Sequence, residues 1–162
     1  MQKSKAARAV KFETDSHQAL DQYRMEMLVF GSPELSSVLR GHLLIERTIE
    51  ALIAKNLARP EKLMDRHRIT FEMKVDLADA LGILPSAYVG AAKALNGIRN
   101  RYAHREDHQV SIEELNSLKI EWAPIQKDAF KVAVAKSRED AVQLAIIFLN
   151  WSFLRLLHPN EA

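Results

Sequence analysis

Arg99 and His104 are separated by four residues in the stretch Leu95-Asn96-Gly97-Ile98-Arg99-Asn100-Arg101-Tyr102-Ala103-His104. A histidine titrates near neutral pH and can take or give a proton. An arginine can clamp an anion and stabilise charge that builds up in a transition state. The pair therefore has the components of acid–base chemistry at an anionic group. Stepping at roughly 100° per residue, Tyr88, Ala91, Leu95, Ile98 and Tyr102 form a core-facing stripe. Asn96, Asn100 and His104 then make a polar line on the opposite side, and Arg99 sits on the shoulder between the two. A plainer reading stands beside this one. A cationic residue near a helix C-terminus favours the macrodipole, and Arg99 and Arg101 are then simply solvated.

The elements that must position this stretch follow from periodicity and breakers. Residues 1–13 read as a basic arm, with Lys3, Lys5, Arg8 and Lys11 and no acid up to Lys11. Such a start is more often a mobile tail than a phosphate-binding arm. A first helix is expected from about Thr14 to Phe30, stopped by Gly31-Ser32-Pro33. A long amphipathic helix follows over about Pro33 to Ala58, with Val38, Ile45, Ile49, Leu52 and Ile53 inward. His42 and Glu46 interrupt that face one turn apart. His42 reads as a satisfied core histidine. Glu46 must be paired, protonated or turned outward. Two readings remain for it: an ion pair with Arg99, or a carboxylate reaching a groove edge.

Pro60 to Arg68 reads as a loop with Arg66, His67 and Arg68 exposed. A helix over about Thr70 to Leu84, capped by Thr70, should bury Met73, Leu77, Ala80, Leu81 and Leu84. Asp76 and Asp79 resemble a catalytic or metal pair, but at this spacing they read as a solvated face. Pro85 opens the helix that carries Arg99 and His104, and a polar link over Arg105 to Gln109 follows it. Ser111 with Glu114 and Ser137 with Asp140 read as capping boxes. Ile112, Leu115, Leu118 and Trp122 suggest one helix that Pro124 kinks or breaks, and Ile125, Ala129, Phe130 and Ala133 continue the apolar set. The last helix, about Ser137 to Leu157, is apolar nearly all round, which suits a central position or a dimer face.

The chain has 162 residues, 48% of them hydrophobic, with only five glycines and five prolines. That predicts one all-α domain over residues 14–162, a bundle of about five to six helices. No cysteine is present, so disulfides and thiolate metal sites are excluded and a cytoplasmic location is expected. The start lacks an apolar signal core, and Ala141 to Leu149 is too short for a bilayer, so no membrane is expected. A net charge of +2 does not by itself imply nucleic acid. There is no phosphate-binding glycine loop, Gly-x-Ser-x-Gly or His-Glu-x-x-His motif. The six histidines are scattered, so neither a metal nor a cofactor is assigned.

Three stretches in order, Gly41-His42-Leu43-Leu44-Ile45-Glu46, then Lys74 to Gly82, then Arg99-Asn100-Arg101-Tyr102-Ala103-His104, make the chain resemble the HEPN superfamily of small helical domains. The resemblance spans roughly Val38 to His108. It implies a metal-independent endoribonuclease with a toxin or defence role, acting as a homodimer whose two motifs face one cleft. Arg99 and His104 would be its catalytic pair, Glu46 and Asn100 their supports, and Arg101 and Arg105 RNA contacts. A neutralising antitoxin or a regulatory protein would be the protein partner. The resemblance equally admits a non-catalytic binding or regulatory module of the mannitol-repressor-like kind. Toxins of the nucleotidyltransferase-paired class often carry a tyrosine two residues after the histidine; this chain has Glu106 there.

Overall fold

The computed structural model describes residues 32–65, 68–105 and 108–159. The expected arm and the expected helix at Thr14 to Phe30 lie outside these residues, as do Arg66, His67 and Glu106. Among the described residues the chain is all-helical: α1 (Pro33–Asn56), α2 (Glu61–Met64), α3 (Phe71–Ala80), α4 (Ser86–His104), α5 (Ile112–Asn116), α6 (Pro124–Lys136) and α7 (Arg138–Leu157), with no strand. Two of the seven, α2 and α5, are little more than single turns.

Helix starts follow the sequence closely because capping is local. Ser32 caps α1, with Pro33 in its first turn. Thr70 accepts a hydrogen bond from the Met73 amide at 3.2 Å, and Ser111 and Glu114 form the full capping box. At α7 only half of the expected box forms. Ser137 accepts from the Asp140 amide, but the Asp140 carboxylate accepts a hydrogen bond from the Ser137 hydroxyl instead of from a backbone amide.

The bundle is organised around α1, which packs on α7, α3 and α4, while α3 also packs on α4 and α6 on α7. Glu34 faces Arg138 at one end, and Lys55 donates to the Leu157 carbonyl at the other, so α1 and α7 run parallel. Ile45, Ile49 and Ile53 of α1, Leu95 and Ile98 of α4, and Leu149 and Phe153 of α7 are fully buried. Gly41 lets α1 and α7 approach closely: a Cβ there would lie 2.3 Å from Ile146 Cγ2.

Three expectations are corrected. First, α3 stops at Ala80, not Leu84. Gly82 adopts φ +70°, and the amides of Gly82 and Ile83 close back on the carbonyls of Asp79 and Ala78, a Schellman end that only a left-handed residue completes. The buried face of α3 is also rotated from the expected one, to Phe71, Lys74, Val75 and Ala78, leaving Met73 56% exposed. Second, α5 ends at Asn116, and an irregular connection, with turn hydrogen bonds at Leu118 and Lys119 and φ +43° at Glu121, carries Leu118, Ile120 and Trp122 into the core. Pro124 opens α6 instead of kinking a longer helix. Third, α7 as a whole is long and apolar enough to cross a membrane by length and composition, unlike the shorter stretch from Ala141 to Leu149. Its packing against α1 and α6 gives that composition another cause, since Ala141, Val142, Ala145, Ile146, Phe148, Leu149, Ser152 and Phe153 are buried.

Candidate functional site

The last turns of α4 divide into side chains fixed by the fold and side chains left open. The inward stripe is as expected: Ala91, Leu95 and Ile98 are buried, with Tyr88 and Tyr102 half-buried. Tyr102 packs edge-on against His108, ring centres 5.0 Å apart. Its hydroxyl is buried beside Glu34, and burial followed by the Glu34 charge holds its pKa well above that of a free tyrosine. Burial likewise raises the Glu34 pKa, against the pull of Arg138, whose Nε lies 3.7 Å from the carboxylate. Arg101 folds back over Gly97 and pairs with Glu114 at 2.5 Å. Glu114 is itself fixed by the Ser111 amide at 2.8 Å. The expected RNA contact Arg101 is thus part of the fastening between α4 and α5.

Arg99, His104 and Arg105 are exposed. Arg99 donates to its neighbour Asn100 at 3.1 Å, which orients the guanidinium without neutralising it. No hydrogen bond or ion pair within the described residues engages the His104 ring. The helix continues through His104, and Arg105 closes it in an extended conformation. Side chains five residues apart on a continuous helix diverge by about 140°, so Arg99 and His104 of one chain point in different directions.

Below this surface lies a polar layer that sequence periodicity places wrongly. Asn96 was expected on the open polar line, yet it is 8% exposed. Its Oδ1 lies 3.0 Å from His42 Nε2, and its Nδ2 donates to Glu72 at 3.4 Å. Because the amide nitrogen is engaged by Glu72, the network assigns the His42 proton to Nε2. Phe71 packs on the His42 ring at 4.1 Å. Burial lowers the His42 pKa, only partly opposed by the Asn96 bond and the Glu46 charge. His42 is therefore the satisfied core histidine that the sequence suggests.

Of the two readings left open for Glu46, the structure shows neither a pair with Arg99 nor an unpaired carboxylate; Glu46 pairs with Lys74. Lys74 Nζ lies 2.5 Å from Glu46 and 2.7 Å from Glu50. Burial works against the Lys74 ammonium, but the two carboxylates outweigh it and hold its pKa above the ordinary lysine value. Sequence reasoning missed Lys74 because the expected core face of α3 ran through Met73, Leu77 and Leu81, which left Lys74 looking like surface, whereas the buried face is 71, 74, 75 and 78. The usable signal was two carboxylates one turn apart on α1, which need a shared cation. A cleft of about 650 Å³, lined by residues including Arg47, Glu50, Met64, Arg68 and Lys74, contains neither Arg99 nor His104. Among the described residues, no group of three or more His, Cys, Asp or Glu side chains is placed to hold a metal ion.

Compared with known proteins, the chain matches no family model, no curated protein and no solved structure.

Proposed function

We propose that this protein is a HEPN-like, metal-independent endoribonuclease that works as a homodimer, with Arg99 and His104 as its catalytic residues. The observation that carries the reading is the division of labour at the end of α4. Arg101 is paired with Glu114 of α5 and the Tyr102 hydroxyl is buried, whereas Arg99 and His104 are exposed and held by no charged partner among the described residues. A histidine and an arginine left open at the rim of a rigid helix suit a polymer substrate that lies across a surface.

In this mechanism the neutral His104 ring takes the proton of a ribose 2′-hydroxyl, and the oxygen attacks the adjacent phosphorus. The bond from phosphorus to the 5′-oxygen breaks, and that oxygen leaves with a proton returned by an imidazolium. Arg99 stabilises the charge gathering on the non-bridging oxygens. The products are a 2′,3′-cyclic phosphate and a 5′-hydroxyl. Because the two side chains diverge on one helix, the reaction centre is assembled from two copies of the motif about a two-fold axis. Asn100 orients Arg99, and Arg105 adds a phosphate contact.

One observation favours a second reading, a module that binds RNA, a nucleotide or a protein at this surface without cutting: Glu46 is committed to Lys74 and does not brace Arg99. Cleavage of single-stranded RNA and tRNA in EDTA, by the wild type and by His104→Ala, separates the two. Cleavage by the wild type alone, leaving 2′,3′-cyclic ends, is the expected result. RNA retained intact by both proteins at high dimer concentration selects the binding module.

A further inference from the structure

We propose that residues 14–30 fold back along α1 as an antiparallel helix and cover its open face over Leu39, Leu43 and Leu44. The occupant is the chain's own N-terminal segment, not a second copy or a foreign partner. The proposal is independent of the reading of Arg99 and His104. Residues 14–30 lie outside the described part of the chain, but the surface they adjoin lies within it.

α1 is apolar on two sides. Val38, Ile45, Ile49 and Ile53 face the core. Leu39, Leu43 and Leu44 face away from it and are between 44% and 53% exposed. Three leucines within two turns form a contiguous apolar patch, which a folded chain seldom leaves bare. Arg40 and Arg47 sit among them on the same side. Both are exposed, and neither has an ion pair among the described residues. Towards the C-terminal half of α1 this side is already lined: Arg47, Glu50, Ala51 and Ala54 share a cleft with Met64 and Ile69. The bare part is thus the first half of the helix, from its N-cap to about Arg47.

The segment that precedes α1 fits that part in pattern, length and charge. Leu20, Tyr23, Met27 and Phe30 recur at i, i+3, i+7 and i+10, one stripe of a helix. Only Gly31 and Ser32 separate Phe30 from Pro33, and Ser32 caps α1. A link this short joins two helices as an antiparallel hairpin. With equal rise on both helices, Phe30 comes level with the first turn of α1, Met27 with Ser37, Tyr23 with Gly41 and Leu20 with Leu44. As a helix the segment spans about 25 Å, which carries it along α1 to the mouth of the cleft. Its charged residues are Asp15, Asp21, Glu26 and Arg24, a net negative complement to Arg40 and Arg47. Asp21 falls level with Leu43, about one turn from each arginine. The short link also holds the segment at high local concentration on this face, which favours it over a second copy.

The chain has no cysteine, so two introduced thiols report proximity alone. Leu20→Cys with Leu44→Cys, treated in the full chain with a short bismaleimide, should become linked within one chain. The link is read as faster migration on a denaturing gel and as a joined peptide by mass. Leu20→Cys with Ile125→Cys should not link, because Ile125 is exposed on α6, which packs on α7. No link in the first pair, or equal linking in both pairs, overturns the proposal. Links found only between chains also overturn it and make a second copy the occupant. Leu20→Ser and Leu44→Ser should each lower the melting temperature by roughly 2–4 °C. The double variant should fall by little more than one of them, since both changes remove the same contact. Losses that simply add would count against the docked segment.

Discussion

Two buried groups give the molecule opposing responses to acid. His42 is held neutral: burial keeps its folded pKa below the usual 6.5. In the window between the folded and unfolded values the unfolded chain binds more protons, so stability is lost as pH falls below 6.5. Glu34 is the reverse. Its folded pKa lies above 4.5, so its contribution is full below that value and is lost as pH rises through the folded pKa. Melting temperatures between pH 4 and 8 should therefore show a loss on acidification below 6.5 that His42→Gln flattens. Glu34→Gln should gain on the wild type as pH rises from 4 to 7. A wild-type profile that His42→Gln leaves unchanged in shape would show that this histidine is not held neutral. His104 belongs to the other class of residue. It is exposed and outside the core, so His104→Ala should change stability by no more than about 0.5 kcal/mol, which a denaturant titration measures.

Elements were legible where the signal is local. The α1, α3 and α5 caps and the core stripe of α4 follow from neighbouring residues. Ser111→Ala removes the acceptor of the Glu114 amide and should cost about 1 kcal/mol, and the frayed first turn of α5 should weaken the Arg101 pair that Glu114 carries. Accelerated amide exchange at the C-terminal turn of α4 checks the second part. Gly41→Ala tests the seam between α1 and α7. The added methyl meets Ile146 at 2.3 Å, and the helices must separate, at a cost of about 1–3 kcal/mol. Thermal denaturation of Gly41→Ala equal to wild type would contradict that packing. The face of α3 was not legible. Met73 and Leu81 look like core residues, and Lys74 looks like surface, until Glu46 and Glu50 are placed beside it.

For the whole molecule, the proposed ribonuclease is tested by how RNA cleavage depends on protein concentration. A continuous helix through His104 separates the two motif side chains of one chain, so the proposed mechanism requires two copies. Specific activity should then fall with dilution below the dimer dissociation constant, and sedimentation should show monomer over the same range. Full activity in a dilute monomer would remove the dimer from the mechanism. The surface offers apolar area for association: Trp151 and Leu154 on α7 are each more than 40% exposed.

The sequence by itself determined the helical class, most helix starts, the place of His104 off the core and the buried role of His42. These depend on periodicity, caps and breakers, which act within a few residues. Only the tertiary structure decided which charges pair. Lys74 reaches Glu46 across 28 positions, and Asn96 reaches His42 across 54. Such pairings depend on which helix lies beside which and at what rotation. Trp122 likewise reaches the core on a non-helical connection that apolar spacing presents as a helix. A polar residue on an apolar stripe carries no local mark of its partner, because the partner is supplied by another helix.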